Sequence, residues 1–546
     1  MELHPATLWE ALSDAHGDRA AIVQGPRRTT WRELEDRAAR LATVLLDGGV
    51  TPGAKVGLLL HNSPEYIEAY FAALKIRAVP FNINWRYTAH EIAYLLENAD
   101  ADALVLHASL GDVAAEAVAA AGRPGLLLEV DDPHPPGPGV DRRRPATGIH
   151  AGTRGYEAAI AAAEPAARIE RSPDDVAMTY TGGTTGMPKG VVAAVGPPLA
   201  GLLQTVPPLI RMAPVPIDEV PAAVAGVEEW VVSIPASPLM HGTGLGIGVL
   251  PALATGGTIV LLTDRHFDAA ELWDTVVRER VNAITIVGDP FARPLLAELR
   301  AHPGRDLSSV RIISSAGAMF SAEVKAGILE HLPNALVMDI IAATEGSMGT
   351  SFTSATSPVG TGRFHPAPGV LVLADDDRVI EAGSGEIGLV AVPGGADGYY
   401  KDDAKTAATF RTIDGQRYAI PGDCATVDAD GLITLLGRGS SCINTAGEKV
   451  YPEEVEEVLK THPGVEDALV FGIDDERFGQ RVAAVVSRAN GSTDGVDAIL
   501  AAAHEQLASF KVPRELVIVG AVPRTQVGKA DYPTARRLYT AGSPES

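Results

Sequence analysis

Between Thr179 and Gly190 the chain reads Thr-Tyr-Thr-Gly-Gly-Thr-Thr-Gly-Met-Pro-Lys-Gly. Four threonines (179, 181, 184 and 185), four glycines and Lys189 fall within these twelve residues. Glycines let the backbone turn its N–H groups toward a ligand, hydroxyls add donors, and the lysine adds a charge. That is the composition of a loop that wraps phosphate oxygens. It is not a Walker A loop, because Lys189 is followed by Gly190 and not by Ser or Thr. A plain Gly/Thr-rich turn is the alternative this stretch leaves open by itself.

The elements around it must hold the loop still. A β-rich run, Val176 to Tyr180, leads straight into it. Upstream, short apolar runs at 56–60, 78–83 and 103–106 alternate with helix-period runs at 65–75 and 89–99, the rhythm of βαβ units and a parallel sheet. The alternation resumes downstream at 230–234, 258–262, 283–287, 310–315 and 335–340. The proline-studded segment from Pro197 to Glu229 fits neither period and reads as a mobile helix-and-loop excursion. Residues 131–155, rich in Pro, Gly and Arg, read as an exposed loop. After Gly437 the texture changes. Pro452 opens a helix with Glu453 and Glu454 in its first turn and Lys460 near its end, and strands, a helix near 495–508 and a strand at 515–520 follow. The expected fold class is α/β: a large N-terminal domain of several α/β sheets, residues 1–438, and a small mobile α+β C-terminal domain, residues 439–546.

The whole composition fits a folded soluble chain. In 546 residues, 69 acidic against 45 basic side chains leave a formal charge of −24, which argues against nucleic-acid or anionic-lipid partners. The one short basic run, Arg142-Arg143-Arg144, reads as a solvated loop. Two cysteines, Cys424 and Cys442, are too few for a disulfide framework and lack metal-ligand spacing, so a reducing cytoplasm is the expected compartment. The N-terminus has no signal-like region, and no run of 18 apolar residues exists to span a membrane.

The full string at 179–190 resembles the phosphate loop of the adenylate-forming superfamily, which includes acyl-CoA synthetases, luciferases and peptide-synthetase adenylation domains. Further segments resemble that family's motifs in order: Ser237-Pro238-Leu239-Met240-His241-Gly242, Ser315-Ala316-Gly317-Ala318-Met319, Thr344-Glu345, Gly385-Glu386-Ile387-Gly388 with Tyr399, Tyr400 and Thr406, Pro421-Gly422-Asp423, Gly437-Arg438, Gly447-Glu448-Lys449-Val450-Tyr451-Pro452, and Pro523-Arg524-Thr525 through Gly528-Lys529. They cover nearly the whole chain. Residues 417–423 with 437–444 look most like actinobacterial synthetases that activate steroid side chains and other bulky terpenoid acids.

The resemblance implies ATP (leaving as AMP), Mg²⁺ and coenzyme A as cosubstrate, with a carboxylic acid as the small-molecule partner. It assigns Lys529, Glu345 and Thr184 to catalysis, Glu345 and Thr184 also to the metal. Thr181, Gly182, Gly183, Thr185, Lys189, Ala316, Gly317, Ala318, Ile341, Ala342, Thr344, Asp423 and Arg438 fall to the nucleotide. His241, Gly242, Met319, Gly346 and Gly447 fall to the acyl and CoA pocket, and Ser440 to the hinge. The chemistry is coherent, since a carboxylic acid of pKa about 4 is already ionised and needs no general base to attack an α-phosphate. Positioning and neutralisation of charge are what the protein must supply.

Some positions depart from the family pattern. Ile341 and Ala342 stand where an aromatic-Gly pair is frequent, Ser440 where Asp or Lys is common, and Met319 where many relatives have proline. Small side chains such as Ala316, Gly317, Ala318, Ala342, Ala343 and Gly346, with flexible Met319 and Met348, suggest room for a bulky polycyclic acid; a medium- or long-chain fatty acid is the competing expectation. An acyl-CoA synthetase is the leading reading. Its rivals are a ligase specialised for the thioester step with weak adenylation, a free-standing adenylation enzyme that loads a carrier protein, and a silent binding relative. Monomer or homodimer is left open.

Overall fold

The computed structural model describes residues 1–132, 150–181, 187–318, 320, 322–357, 362–374, 376–438, 443–450, 452–489, 491–523 and 531–542. Outside these lie Gly182, Gly183, Thr184, Thr185, Met319, Ser440 and Lys529, together with Arg142 to Arg144 and Cys442.

Two sheets form the body. In the first, Ala20–Gln24, Thr258–Leu261, Val232–Pro235, Ala283–Ile286, Ile312–Ala316 and Leu336–Ala343 run parallel, side by side. Antiparallel strands from Gly346–Thr353 onward extend it. In the second, Lys55–Leu59, Val79–Asn82, Ala101–His107 and Leu126–Val130 are parallel, and Val176–Thr181 joins them before turning back antiparallel as Lys189–Ala194. Helices Pro5–His16, Trp31–Asp47 and Pro64–Lys75 fill the space between the sheets, burying Trp9, Trp31 and Phe71 against Val56, Leu58, Ile22 and Ile259. Ile284 and Ile313, on the other face of the first sheet, pack with Trp273 and Leu295. Leu104 and Phe81 pack with Leu95 and Leu96 on the outer face of the second.

The local reasons are visible in sequence. Helix Ala89–Ala99 starts at a Thr88/Glu91 capping box, in which the Thr88 hydroxyl accepts from Glu91 N while the Glu91 carboxylate accepts from Thr88 N. The segment 197–229, expected as a helix-and-loop excursion, forms the short helices Gly196–Thr205 and Val220–Ala225 with the turn Pro207–Ile210 and loop between them. Pro197, Pro198 and Pro221 sit in the first turns of Gly196–Thr205 and Val220–Ala225, where proline starts helices, and Leu199, Leu203, Val220 and Val224 are buried in the core.

Strands up to Arg438 pair within the body, and those from Ile443 onward pair in a separate five-stranded sheet. One face of that sheet carries helices Pro452–Thr461 and Val496–Gln506 over Val470, Ala484 and Val486. The other carries Tyr532–Gly542 over Phe471, Ala483 and Val485. Among the described residues no helix is long and apolar enough to cross a membrane.

Candidate active site

A cavity of about 1450 Å³ opens between the two body sheets and the C-terminal sheet. It exceeds the roughly 300–1,000 Å³ that suits one drug-sized ligand. At one end lie Thr181 and Lys189, the two flanks of the phosphate-loop hairpin. Asn82 fixes this hairpin: its Nδ2 donates to the carbonyls of Met240 (2.7 Å) and Tyr180 (3.2 Å), and its Oδ1 accepts from Tyr180 N at 2.8 Å. Asn62 holds the neighbouring turn in the same way, donating to Ser237 O at 3.1 Å and accepting from Leu239 N at 2.8 Å. One pair of amides thus sets the phosphate loop beside the His241 turn.

Glu345 sits with Thr344 at the tip of the hairpin joining Leu336–Ala343 to Gly346–Thr353 and is 7% exposed, facing the cavity. Its backbone carbonyl accepts from Ala396 N at 2.9 Å. Gly395, at φ +80°, passes so close to that carbonyl that a Cβ would stand 2.1 Å from the oxygen, so only glycine fits there. Tyr399 Oη donates to Glu345 Oε1. From Tyr399 the contacts continue to the phosphate hairpin: Tyr399 N donates to Thr406 Oγ1 at 2.9 Å, Thr406 Oγ1 donates to Asp402 O at 2.8 Å, and Lys189 Nζ pairs with the Asp402 carboxylate. The Lys189 hydrogen bond holds the Asp402 carboxyl below the usual carboxylate range. Among the described residues no three His, Cys, Asp or Glu cluster as a metal site. A single carboxylate facing a cavity suits Mg²⁺, which keeps waters and takes its remaining ligands from phosphates.

The other end belongs to the C-terminal sheet. Gly447, at φ +84°, abuts Val287 so closely that a Cβ would lie 2.7 Å from its Cγ1. The next residue, Glu448, enters the cavity wall. Its carboxylate pairs with Arg86, lies 3.1 Å from His241 Nε2, and meets Asn84 Nδ2 at 3.5 Å. Burial opposes its charge, but the His241 ring and the Arg86 guanidinium beside it overcome this and hold its pKa down to about 2. Behind it, Lys511 Nζ bridges Glu454 (2.7 Å) on its own sheet's helix and Glu91 (2.9 Å) on the body. All three side chains are 2% exposed or less.

Two models of known families match the chain, AMP-binding enzyme over residues 9–400 and AMP-binding enzyme C-terminal domain over 454–529. The chain belongs to the AMP-binding enzyme family. Within it, the 3-oxocholest-4-en-26-oate--CoA ligase of Rhodococcus rhodochrous is 39% identical over 98% of this chain and 96% of its own. A medium/long-chain-fatty-acid--CoA/3-oxocholest-4-en-26-oate--CoA ligase of Mycobacterium tuberculosis (strain ATCC 25618 / H37Rv) is 40% identical over 99% and 96%. Among solved structures, the o-succinylbenzoate CoA synthetase of Bacillus subtilis shares the fold, with a TM-score of 0.76 at 22% identity over 97% of this chain and 98% of that one.

Of the residues that this family's motifs point to, the cavity brings together Thr181, Lys189, His241, Gly242, Ala316, Gly317, Ala342, Thr344, Glu345, Gly346 and Gly447. Ala318 is half-buried beside them. Asp423 and Arg438 face each other in register on paired strands. Ile341 is a correction. Side chains alternate along Leu336–Ala343, so Met338, Ile340 and Ala342 line the cavity while Ile341 turns the other way and packs against Met348 and Phe364. Met348 is core for the same reason and is no part of the pocket wall. Asn82, Arg86 and Lys511 gave no sequence signal, since their partners are distant in the chain; Glu448 lay inside a recognised motif without an assigned role.

Proposed function

We propose that the protein joins a bulky polycyclic or long-chain carboxylic acid to coenzyme A in two steps within this one cavity. It is an AMP-forming acid–thiol ligase. In the first step a carboxylate oxygen attacks the α-phosphorus of ATP, giving acyl-AMP and releasing pyrophosphate. In the second the CoA thiolate attacks the acyl carbonyl carbon, a thioester forms, AMP leaves, and the thiol proton passes to solvent. The observation that carries the reading is the continuity of one large cavity from the Thr181/Lys189 hairpin and Glu345 to Gly447 and Glu448. The names of the two bacterial relatives support the choice of acid.

In this reading Thr181 and the loop after it bind the triphosphate, Asp423 accepts from ribose hydroxyls, and Lys189 exchanges Asp402 for phosphate. Glu345 holds Mg²⁺, which when bound neutralises charge on the phosphates. Tyr399 orients the Glu345 carboxylate. His241, Gly242 and Gly246 wall the acid; an added Cβ at Gly242 or Gly246 meets nothing within 4 Å, so these glycines leave chamber volume open. The C-terminal unit, taken as 439–546 and hinged near Ser440, presents Gly447 for the second step. Lys529 serves the first. The described anchors of its loop, Val522 and Tyr532, pack on the sheet face opposite the helices nearest the body. A cytoplasmic setting supplies ATP and CoA.

The test is a panel of acids incubated with ATP, Mg²⁺ and CoA, read as CoA thioesters by mass spectrometry, with pyrophosphate exchange measured without CoA. Thioesters of polycyclic or long-chain acids are expected, and exchange without any thioester would point to a carrier protein as acceptor. A preference for acetate over every larger acid would overturn the assignment of substrate.

A further inference from the structure

The floor of the acyl chamber is the face of the first sheet opposite Ile284 and Ile313, and most of it is apolar or small. Ser233, Thr285, Ser314 and Thr350 break this pattern, and two of them are direct neighbours. Thr285 and Ser314 line the cavity, are 2% and 6% exposed, and stand directly in register on adjacent parallel strands. Neither hydroxyl has a hydrogen-bond partner among the described residues. Ser233, on the same face, shows the contrast: its hydroxyl is satisfied by Gly248 O at 2.7 Å. Two hydroxyls side by side, unbonded within the protein and open to the cavity, are placed to bond a ligand oxygen there. Around them Met338, Ile340 and Ile247 offer no polar atom except backbone.

We infer that Thr285 and Ser314 form an oxygen-reading subsite, and that the acid this protein activates carries a hydroxyl or keto oxygen where its skeleton crosses them. The inference rests on the ligase reading above. Ser314 lies two residues before Ala316 on the same strand face, and at about 3.3 Å per residue this sets the subsite about 7 Å along the strand from the adenylate end. The two hydroxyls can each donate or accept, so an alcohol or a ketone is held equally well. An unfunctionalised acid leaves both hydroxyls unpaired in an apolar chamber, which disfavours it more than a simple lack of contact would.

The experiment uses two matched pairs: lithocholic against deoxycholic acid, which differ by one 12α-hydroxyl, and decanoic against 7-hydroxydecanoic acid. The kcat/KM for CoA-thioester formation is measured with the full-length protein and with a Thr285→Val/Ser314→Ala double variant. The wild type is expected to favour the hydroxylated member of at least one pair by about tenfold, and the ratio is expected to fall to about one in the double variant. Folding is not at stake, because neither hydroxyl is bonded within the protein; Ser314→Ala alone serves as a second variant, in which the ratio falls part-way. Absence of preference in both pairs, or a preference that survives in the double variant, overturns the inference while leaving the ligase reading intact. No thioester from any of the four acids overturns the ligase reading, and the inference with it.

Discussion

Glu448 Oε2 stands 3.1 Å from His241 Nε2, so a carboxylate from the C-terminal sheet reaches a histidine on the wall of the acyl chamber. Arg86, from the second body sheet's outer side, closes on the same carboxylate. The contact ties the position of Gly447 to the pocket in which the acyl group would lie. Glu448→Gln keeps the shape and removes the charge. Losing hydrogen bonds to a charged group costs about 1.5–3 kcal/mol, so thioester formation from supplied acyl-AMP is expected to slow by about ten- to a hundredfold, with acyl-AMP formation changed less than about threefold. Equal losses in both half-reactions would show that Glu448 acts on the body alone.

The same contact has a pH signature. Its carboxyl is held at about 2 when docked, against an ordinary 4.5. A depressed carboxyl stabilises the arrangement fully above the ordinary value, and that contribution fades as pH falls through the docked one. In acid titrations followed by thermal unfolding, the gap between wild type and Glu448→Gln should close as pH falls from about 4.5 to about 2. A gap that widened on acidification would contradict this.

Lys511 spans the boundary more deeply. Burial opposes its charge, yet the Tyr87 ring oxygen, Glu454 and Glu91 hold its ammonium well above the usual lysine range, while burial raises Glu454. In the proposed domain movement, separation of the two units would leave Lys511 with Glu454 and Glu91 with its capping role at Thr88. Lys511→Met leaves two carboxylates facing each other only when the units are docked, a loss of about 3–5 kcal/mol in that arrangement. The thioester step is expected to fall by about two powers of ten, with small-angle scattering showing a more extended protein.

Much of this was legible beforehand where chemistry and periodicity coincide. The helix-period runs at 65–75 and 89–99 marked helices, and the runs at 56–60, 176–180 and 283–287 marked strands. Three things were not legible. The glycine-rich run Thr243–Val249 winds as a π-helix, because Gly244 and Gly248 must pass close to Pro238 and Pro235, a constraint visible only once the strands are in place. Glu448 and His241, or Lys511 and Glu91, meet through the docking of separate units, which local patterns do not encode. For Ile341, motif correspondence supplied a residue type but not the face of the strand.

That last point is testable. Placing an aromatic ring at 341 cannot create a stacking surface for adenine, since the side chain enters the cluster of Met348, Phe364 and Val390. Ile341→Tyr is expected to leave ATP affinity within about twofold and to lower stability by about 1–3 kcal/mol through overpacking, read by equilibrium nucleotide binding and urea unfolding. A tenfold gain in ATP affinity would return the position to the nucleotide site.

Lys529 offers the sharpest separation of the two steps. It follows Gly528 in the segment between Pro523 and Asp531, two described residues whose backbones meet at 3.2 Å (Asp531 N to Pro523 O). Beyond it, Ala535 and Tyr539 pack on Phe471, across the sheet from Val470 and the helix Pro452–Thr461. In the proposed two-step reaction the Lys529 charge serves the attack on the α-phosphorus and has no part once acyl-AMP exists. Removing a preorganised charge donor costs about two to three powers of ten in rate. Lys529→Ala is therefore expected to lose that much in pyrophosphate exchange and in single-turnover thioester formation from acid, ATP and CoA. Thioester formation from synthetic acyl-AMP should stay within about threefold of wild type. If both half-reactions fell together, the lysine would be acting on the fold or on docking, and the assignment of Lys529 to the first step would be lost.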